Sequence, residues 1–143
     1  KYSLTGKKLV GICLGMQMLL ESSEEDGITE GLKLIKGNVK YIKNQILKDD
    51  ANLTIPNMGW SRVYLKDDKN LDLFKNVDNK EFYFAHSLTC KVDEKKCEVA
   101  FSKFGNLEFC SIIKKNKIYG IQFHPEKSGE SGLKLLKNIL LNE

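Results

Sequence analysis

A chain of 143 residues, 41% hydrophobic and 29% charged, is long enough to bury one core without staples and polar enough to stay in water. No apolar run approaches the ~20 residues that span a bilayer, and Lys1-Tyr2-Ser3-Leu4-Thr5-Gly6 lacks a charged-then-apolar leader, so a cytoplasmic protein without membrane contact is expected. The net charge of +4 rests on scattered lysines without a basic stripe, which argues against nucleic acid as a partner, and Cys13, Cys90, Cys97 and Cys110 show no C-x-x-C spacing, so no metal, cofactor or disulfide framework is expected.

The first strand runs from Lys8 to Ile12 and ends in Gly11-Ile12-Cys13-Leu14-Gly15-Met16-Gln17. A cysteine between two glycines, where an apolar run passes into an amphipathic one, reads as a nucleophile elbow. Residues two before and two after the nucleophile must be small because strand and helix backbones crowd there, and Gly11 and Gly15 meet that need. The helix that follows is expected to aim free N–H groups and its positive end at the sulfur, favouring thiolate. The competing reading is an inert core cysteine in a chance G-x-C-x-G. Leu14, Met16, Met18, Leu19 and Leu20 fit a buried helix to about Ser22, with Gln17 four residues after Cys13 and on its face. Ser22 to Gly27 is a polar, acidic loop. Gly31 to Ile42 reads as a loop and a strand, and Asn44 to Asn52 as a connection.

Ile55-Pro56-Asn57-Met58-Gly59-Trp60 breaks the alternation with proline and glycine and reads as a loop displaying Met58 and Trp60, either capped core or contact surface. Phe82 to Ser87 is a strand ending on His86, a position that more often holds a hydrogen-bonded structural histidine than a catalyst. Glu98 to Lys103, Leu107 to Lys114 and Lys117 to Phe123 follow as strands at hairpin spacing, with a turn at Lys114-Lys115-Asn116-Lys117. The last strand delivers His124-Pro125-Glu126-Lys127-Ser128-Gly129. If the chain stays extended through Pro125, His124 and Glu126 share a face, and the carboxylate can orient the imidazole. A thiol, a base and a carboxylate that sets the base's tautomer are the parts of an acyl-transfer site, so Cys13, His124 and Glu126 are the candidate catalytic residues. Leu133, Leu136, Ile139 and Leu140 mark a closing helix.

The G-x-C-x-G-x-Q elbow and the late H-P-E resemble the signatures of the class I, triad-type glutamine amidotransferases. Gly31-Leu32-Lys33-Leu34-Ile35-Lys36-Gly37, Pro56-Asn57-Met58-Gly59-Trp60 and Phe82-Tyr83-Phe84-Ala85-His86-Ser87 make the chain most similar, within that family, to the glutaminase subunits of imidazole glycerol phosphate synthases. The resemblance implies an α/β fold, a flavodoxin-like mixed sheet flanked by helices with the site at the strands' carboxyl edge. It implies hydrolysis of glutamine to glutamate and ammonia without a cofactor, and a (β/α)8-barrel cyclase of histidine biosynthesis as the partner that receives the ammonia. It gives the Leu14 N–H a place in the oxyanion hole, Gln17 and Glu25 the substrate's α-ammonium, and the backbone of Ser87 and Leu88 its carboxylate. Pro56, Met58, Trp60, Tyr83 and Lys127 are expected on the partner-facing surface. The family has strands and a glycine-rich oxyanion loop before the elbow, so residues 1–143 read as the C-terminal portion of a glutaminase domain, nearly inactive alone. Asn57 and Ser61 stand where the family usually has histidine and asparagine, and Leu88 where an aromatic is commoner. The departures at Asn57 and Ser61 keep open a paralogue feeding ammonia to surface-sugar biosynthesis, while a backbone contact at Leu88 survives its change. A stand-alone cysteine hydrolase is disfavoured by Gln17 and the M-G-W stretch, and a catalytically silent subunit by the intact Cys13, His124 and Glu126.

Overall fold

The computed structural model describes residues 2–50, 52–66 and 79–141. Its elements in chain order are β1 (Leu9–Ile12), α1 (Leu14–Met18), β2 (Ser22–Ser23), β3 (Thr29–Glu30), β4 (Gly37–Tyr41), β5 (Asn57–Arg62), β6 (Glu81–His86), β7 (Leu88–Val92), β8 (Glu98–Phe104), β9 (Leu107–Lys115), β10 (Ile118–Ile121) and α2 (Gly129–Leu141). Eight strands form one mixed sheet in the order β1-β10-β9-β7-β4-β2-β3, with β8 also paired to β9, while β5 and β6 form a separate antiparallel ribbon. Within the large sheet β1 runs parallel to β10 and β2 to β4. The fold is therefore the expected α/β class. Among the described residues no helix is long and apolar enough to cross a membrane.

The sheet is apolar on both faces, and β9 shows how one strand serves two cores. Phe109 and Ile112 join a cluster with Phe82, Phe84, Phe123 and the α2 residues Leu135 and Ile139. Cys110 and Ile113 join the opposite cluster with Met16, Leu19 and Leu20 at α1. Strict alternation would send residues three apart to opposite faces. A bulge, with Ala100 opposite Ile112 and Phe101 opposite Cys110, absorbs Ser111 and restores the phase. In the first cluster Phe82 stacks on Phe123 at 4.3 Å between ring centroids and Phe84 meets Phe109 edge-on at 5.6 Å. Burying each such side chain stabilises the fold by about 1.5–3 kcal/mol.

Four expectations are corrected. Helix α1 ends at Met18 rather than near Ser22, because Leu32 N–H takes the Met18 carbonyl at 2.8 Å and Leu34 and Ile35 take that of Leu19 at 3.0 Å each. Leu14 and Met18 are exposed, Ser22–Ser23 is a short strand, and only Met16 and Gln17 of the helix are buried. Asn57–Arg62 is a strand, not an irregular loop: Pro56 precedes it, Gly59 takes φ 137°, and Asn57 inside, Met58 and Trp60 outside keep the period of two. Leu88–Val92 forms a separate strand, which the aromatic run before it masked. Helix α2 buries Gly132, Leu135 and Ile139, while Leu133 and Leu140 face outward, since the 3.6-residue repeat through 132, 135 and 139 excludes them.

Candidate active site

Parallel pairing of β1 with β10 brings two distant segments to one edge of the sheet. Ile12 lies opposite Ile121, and the Cys13 N–H donates to the Ile121 carbonyl at 2.7 Å. The chain then turns sharply. Cys13 has φ 52° and ψ −107°, a conformation that costs a non-glycine residue about 1–3 kcal/mol and recurs where a nucleophile must be presented. A Cβ on Gly11 would land on the Gly15 carbonyl oxygen and within 2.8 Å of the Met16 nitrogen, whereas one on Gly15 meets nothing within 4 Å. The crowding is thus between the Gly11 face of the strand and the Gly15 backbone, and the expected need for a small residue holds at Gly11 but not at Gly15. Gly11→Ala is expected to lower stability by about 1–3 kcal/mol and slow Cys13 alkylation, and Gly15→Ala to leave both near wild type. Melting curves and iodoacetamide rates compare the two variants.

His124 and Glu126 meet, though not through an extended chain. His124 is extended at φ −100°, but Pro125–Lys127 coils into a 3-10 turn, which swings Glu126 back until its Oε1 accepts from His124 Nδ1 at 2.6 Å. With the proton on Nδ1, the Nε2 lone pair of a neutral ring is free to act as base. Burial pushes the Glu126 carboxyl up, but its own backbone N–H, His124 and Lys127 together outweigh that and hold it below the ordinary carboxylate value. Ser128, which the sequence did not single out, holds the turn together with the Tyr83 backbone. Buried Ser128 donates from Oγ to the His124 carbonyl at 2.6 Å and accepts the Tyr83 N–H at 2.9 Å, while the His124 N–H donates to the Tyr83 carbonyl at 2.8 Å. The signal for Ser128 was present as a hydroxyl four residues past His124, ahead of Gly129.

The Cys13 sulfur lies 3.8 Å from the Ala85 carbonyl and 3.9 Å from Gln122 Nε2. Gln122 is completely buried and accepts from Gln17 Nε2 at 3.4 Å, so one amide joins the elbow cysteine to the first turn of α1. Its sequence signal was a lone polar side chain between Ile121 and Phe123 in an apolar strand. Among the described residues no hydrogen bond joins Cys13 to His124. Burial raises the Cys13 thiol above its ordinary 9.0, the Leu14 N–H works the other way, and the charges of Glu126 and Glu25 add to the rise. The expected lowering of the thiol is not met: burial together with the charges of Glu126 and Glu25 outweighs the Leu14 N–H. The neutral thiol is favoured at every pH below the raised midpoint. Iodoacetamide labelling of Cys13 should rise with pH through a midpoint above 9.0, and a midpoint near neutrality would restore the thiolate reading.

Gln17 and Glu25 line one pocket of about 370 Å³, together with Leu14, Met18, Ser22 and Gly31. Ser87 and Leu88 are not in that lining: they sit at the corner where β6 passes into β7, with Leu88 buried and Ser87 half-buried. Pro56, Met58, Trp60 and Lys127 are exposed and Tyr83 half-buried. Trp60 and Tyr83 are cross-strand partners with rings edge-on at 6.0 Å, which removes the core reading of Trp60.

Residues 1–142 match the family described as glutamine amidotransferase class-I. The chain is 46% identical over 134 residues to imidazole glycerol phosphate synthase subunit HisH of Chlorobium chlorochromatii (strain CaD3), covering 93% of the chain and 63% of that protein. It is 45% identical over 135 residues to the subunit of the same name from Chlorobaculum tepidum (strain ATCC 49652 / DSM 12025 / NBRC 103806 / TLS), with 93% and 63% covered. It thus spans less than two thirds of the length of these curated relatives. A crystal structure of a glutamine amidotransferase superposes with a TM-score of 0.60 at 14% identity, covering 94% of this chain and 61% of that one, a likeness of fold alone. Similarity that runs from the elbow through the H-P-E segment, at this identity and over nearly the whole chain, has one reading: the chain belongs to the class-I glutamine amidotransferases.

Proposed function

We propose that the chain carries the catalytic triad of a glutaminase subunit that hydrolyses glutamine to glutamate and ammonia and delivers the ammonia to a (β/α)8-barrel cyclase in imidazole glycerol phosphate formation. The observation that carries the reading is the 2.6 Å contact of His124 Nδ1 with Glu126, one strand away from a strained cysteine elbow. In this reading glutamine lies with its α-ammonium against Gln17 and Glu25 and its carboxylate at the Ser87–Leu88 corner. His124 Nε2 takes the Cys13 proton as the sulfur attacks the side-chain amide carbon, and returns it to the leaving ammonia. Glu126 keeps the Nδ1 proton in place and stabilises the imidazolium. The Leu14 N–H donates to the oxyanion, one donor being worth about 100- to 1,000-fold in turnover. Water activated by His124 then cleaves the thioester. A thiol that rests neutral suits this sequence, since catalytic hydrogen bonds that are absent without substrate commonly tighten when it binds.

Ammonia released into water at neutral pH is protonated and no longer nucleophilic, which calls for an acceptor docked beside the site. The exposed face of Met58, Trp60 and Tyr83 with Pro56 and Lys127 suits that partner, the large side chains being 64% and 55% exposed at Met58 and Trp60. The names of the two HisH relatives support a synthase as the acceptor. Glutaminase activity measured with and without a barrel cyclase tests the reading; activity that ignores the cyclase overturns it. Trp60→Ala should weaken association by about 2 kcal/mol, roughly 30-fold, and leave the melting temperature and Cys13 labelling unchanged. A collapsed melt would return Trp60 to a structural role.

A further inference from the structure

We propose that His86 is a positioning residue for the substrate carboxylate, set by Asn57: the Asn57 side chain fixes the His86 tautomer, and His86 in turn pins the Ser87–Leu88 corner. The proposal rests on the glutaminase reading above and adds a part to it. Both side chains are buried, Asn57 at 4% and His86 at 5% exposure, and they face each other across the β5–β6 ribbon. Asn57 Nδ2 lies 2.9 Å from His86 Nε2, and His86 Nδ1 lies 2.7 Å from the Leu88 carbonyl oxygen. A carbonyl only accepts, so Nδ1 carries the proton and Nε2 must accept from the Asn57 amide.

The consequence falls on the backbone. The Ser87 carbonyl is taken by the Ile42 N–H at 2.9 Å and the Leu88 carbonyl by His86. In a trans peptide the C=O and N–H point in opposite directions, so pinning these two carbonyls also aims the N–H groups of Leu88 and Thr89. The glutaminase reading gives the substrate carboxylate to the backbone of Ser87 and Leu88; Ile42 fixes the peptide plane before Leu88 and His86 the plane after it, so His86 holds one of the two planes that set this corner. The ring of His86 lies 5.6 Å from that of Phe84 and 5.0 Å from that of Phe109, an apolar setting that suits the neutral ring alone. Burial depresses its titration to about 4, with the nearby His124 adding to the fall. A neutral His86 also spares the imidazolium that forms on His124 a like charge. A purely structural histidine would share the tautomer but would show no link to substrate affinity.

Nitrogen-15 NMR of the full chain reads the tautomer directly: a protonated Nδ1 and bare Nε2 are expected, and a proton on Nε2 overturns the proposal. Asn57→Asp keeps the volume but cannot donate, so in the neutral ring it should move the proton from Nδ1 to Nε2 and leave a bare Nδ1 against the Leu88 carbonyl. With it the Michaelis constant for glutamine should rise about tenfold, with turnover changed less than threefold and Cys13 alkylation unchanged. An unchanged Michaelis constant, or a loss confined to turnover, overturns the proposal. Asn57→Leu, which fills the site without a donor, should give the same Michaelis-constant increase and serves where the aspartate variant does not fold. Wild-type protein with no glutaminase activity beside a cyclase would sink the glutaminase reading instead. In that event the tautomer, and the shift of the Leu88 amide on adding glutamine but not glutaminamide, still decide the fate of the relay.

Discussion

In the full-length subunit beside its cyclase, Cys13→Ala is expected to lower glutamine turnover by about a millionfold, to the level left by binding and the oxyanion donors. No other thiol can stand in. Cys90 and Cys110 are buried on the inner strands, where desolvation raises both thiols, that of Cys110 to about 12, and Cys97 is half-buried and likewise raised. A diazo-ketone analogue of glutamine should alkylate Cys13 and spare the rest, because Cys13 alone of the four sits at the elbow next to the residues that line the Gln17–Glu25 pocket. Its elbow presents the sulfur beside the Leu14 N–H, and Leu14 and Gln17, which follow it, line with Glu25 the pocket that the glutaminase reading gives to substrate. Peptide mass mapping reads the outcome. Label on Cys97, or turnover surviving in Cys13→Ala, would remove the nucleophile from this reading.

The second large effect belongs to the His124–Glu126 pair. In the proposed mechanism His124 carries the proton, so His124→Ala should cost about as much as losing the thiol, since members of a triad act as one unit. Glu126→Gln should lower turnover by about 100-fold or more while leaving the Michaelis constant within about threefold, because the amide can present N–H to Nδ1 and favour the wrong tautomer. The expected loss is smaller than for a buried carboxylate, as half of the Glu126 side chain is open to solvent. Since its carboxyl is held below the ordinary value of 4.5, the wild-type pH profile should show no Glu126 limb until the pH falls below that figure. A Glu126→Gln variant impaired only in its Michaelis constant would make the carboxylate a binding group.

Local patterns account for what was legible in advance. Cys13 between its glycines and His124 two residues from Glu126 are short-range arrangements, and strands with an alternating or continuous apolar run, such as those of β6, β8 and β9, announce themselves by composition. Two of the reasons did not hold: His124 and Glu126 meet through a turn rather than an extended chain, and Gly15 is not the crowded position. The helix after the elbow was overextended because its apolar residues continue, whereas its end is set by N–H groups from residues 32–35 that take its carbonyls.

The sequence by itself determined the class of fold and the family, and it put forward Cys13, His124 and Glu126 as the triad, since each rests on residue type at short spacing. Tertiary structure alone decided the rest. The parallel register of β1 and β10 places Gln122 against the sulfur of Cys13, the β5–β6 register puts Asn57 on His86 and Trp60 on Tyr83, and burial with two carboxylates turns the expected thiolate into a thiol. The physical reason is the same in each case. Hydrogen bonds and desolvation depend on which distant strand is a neighbour, and periodicity along the chain carries no record of that choice.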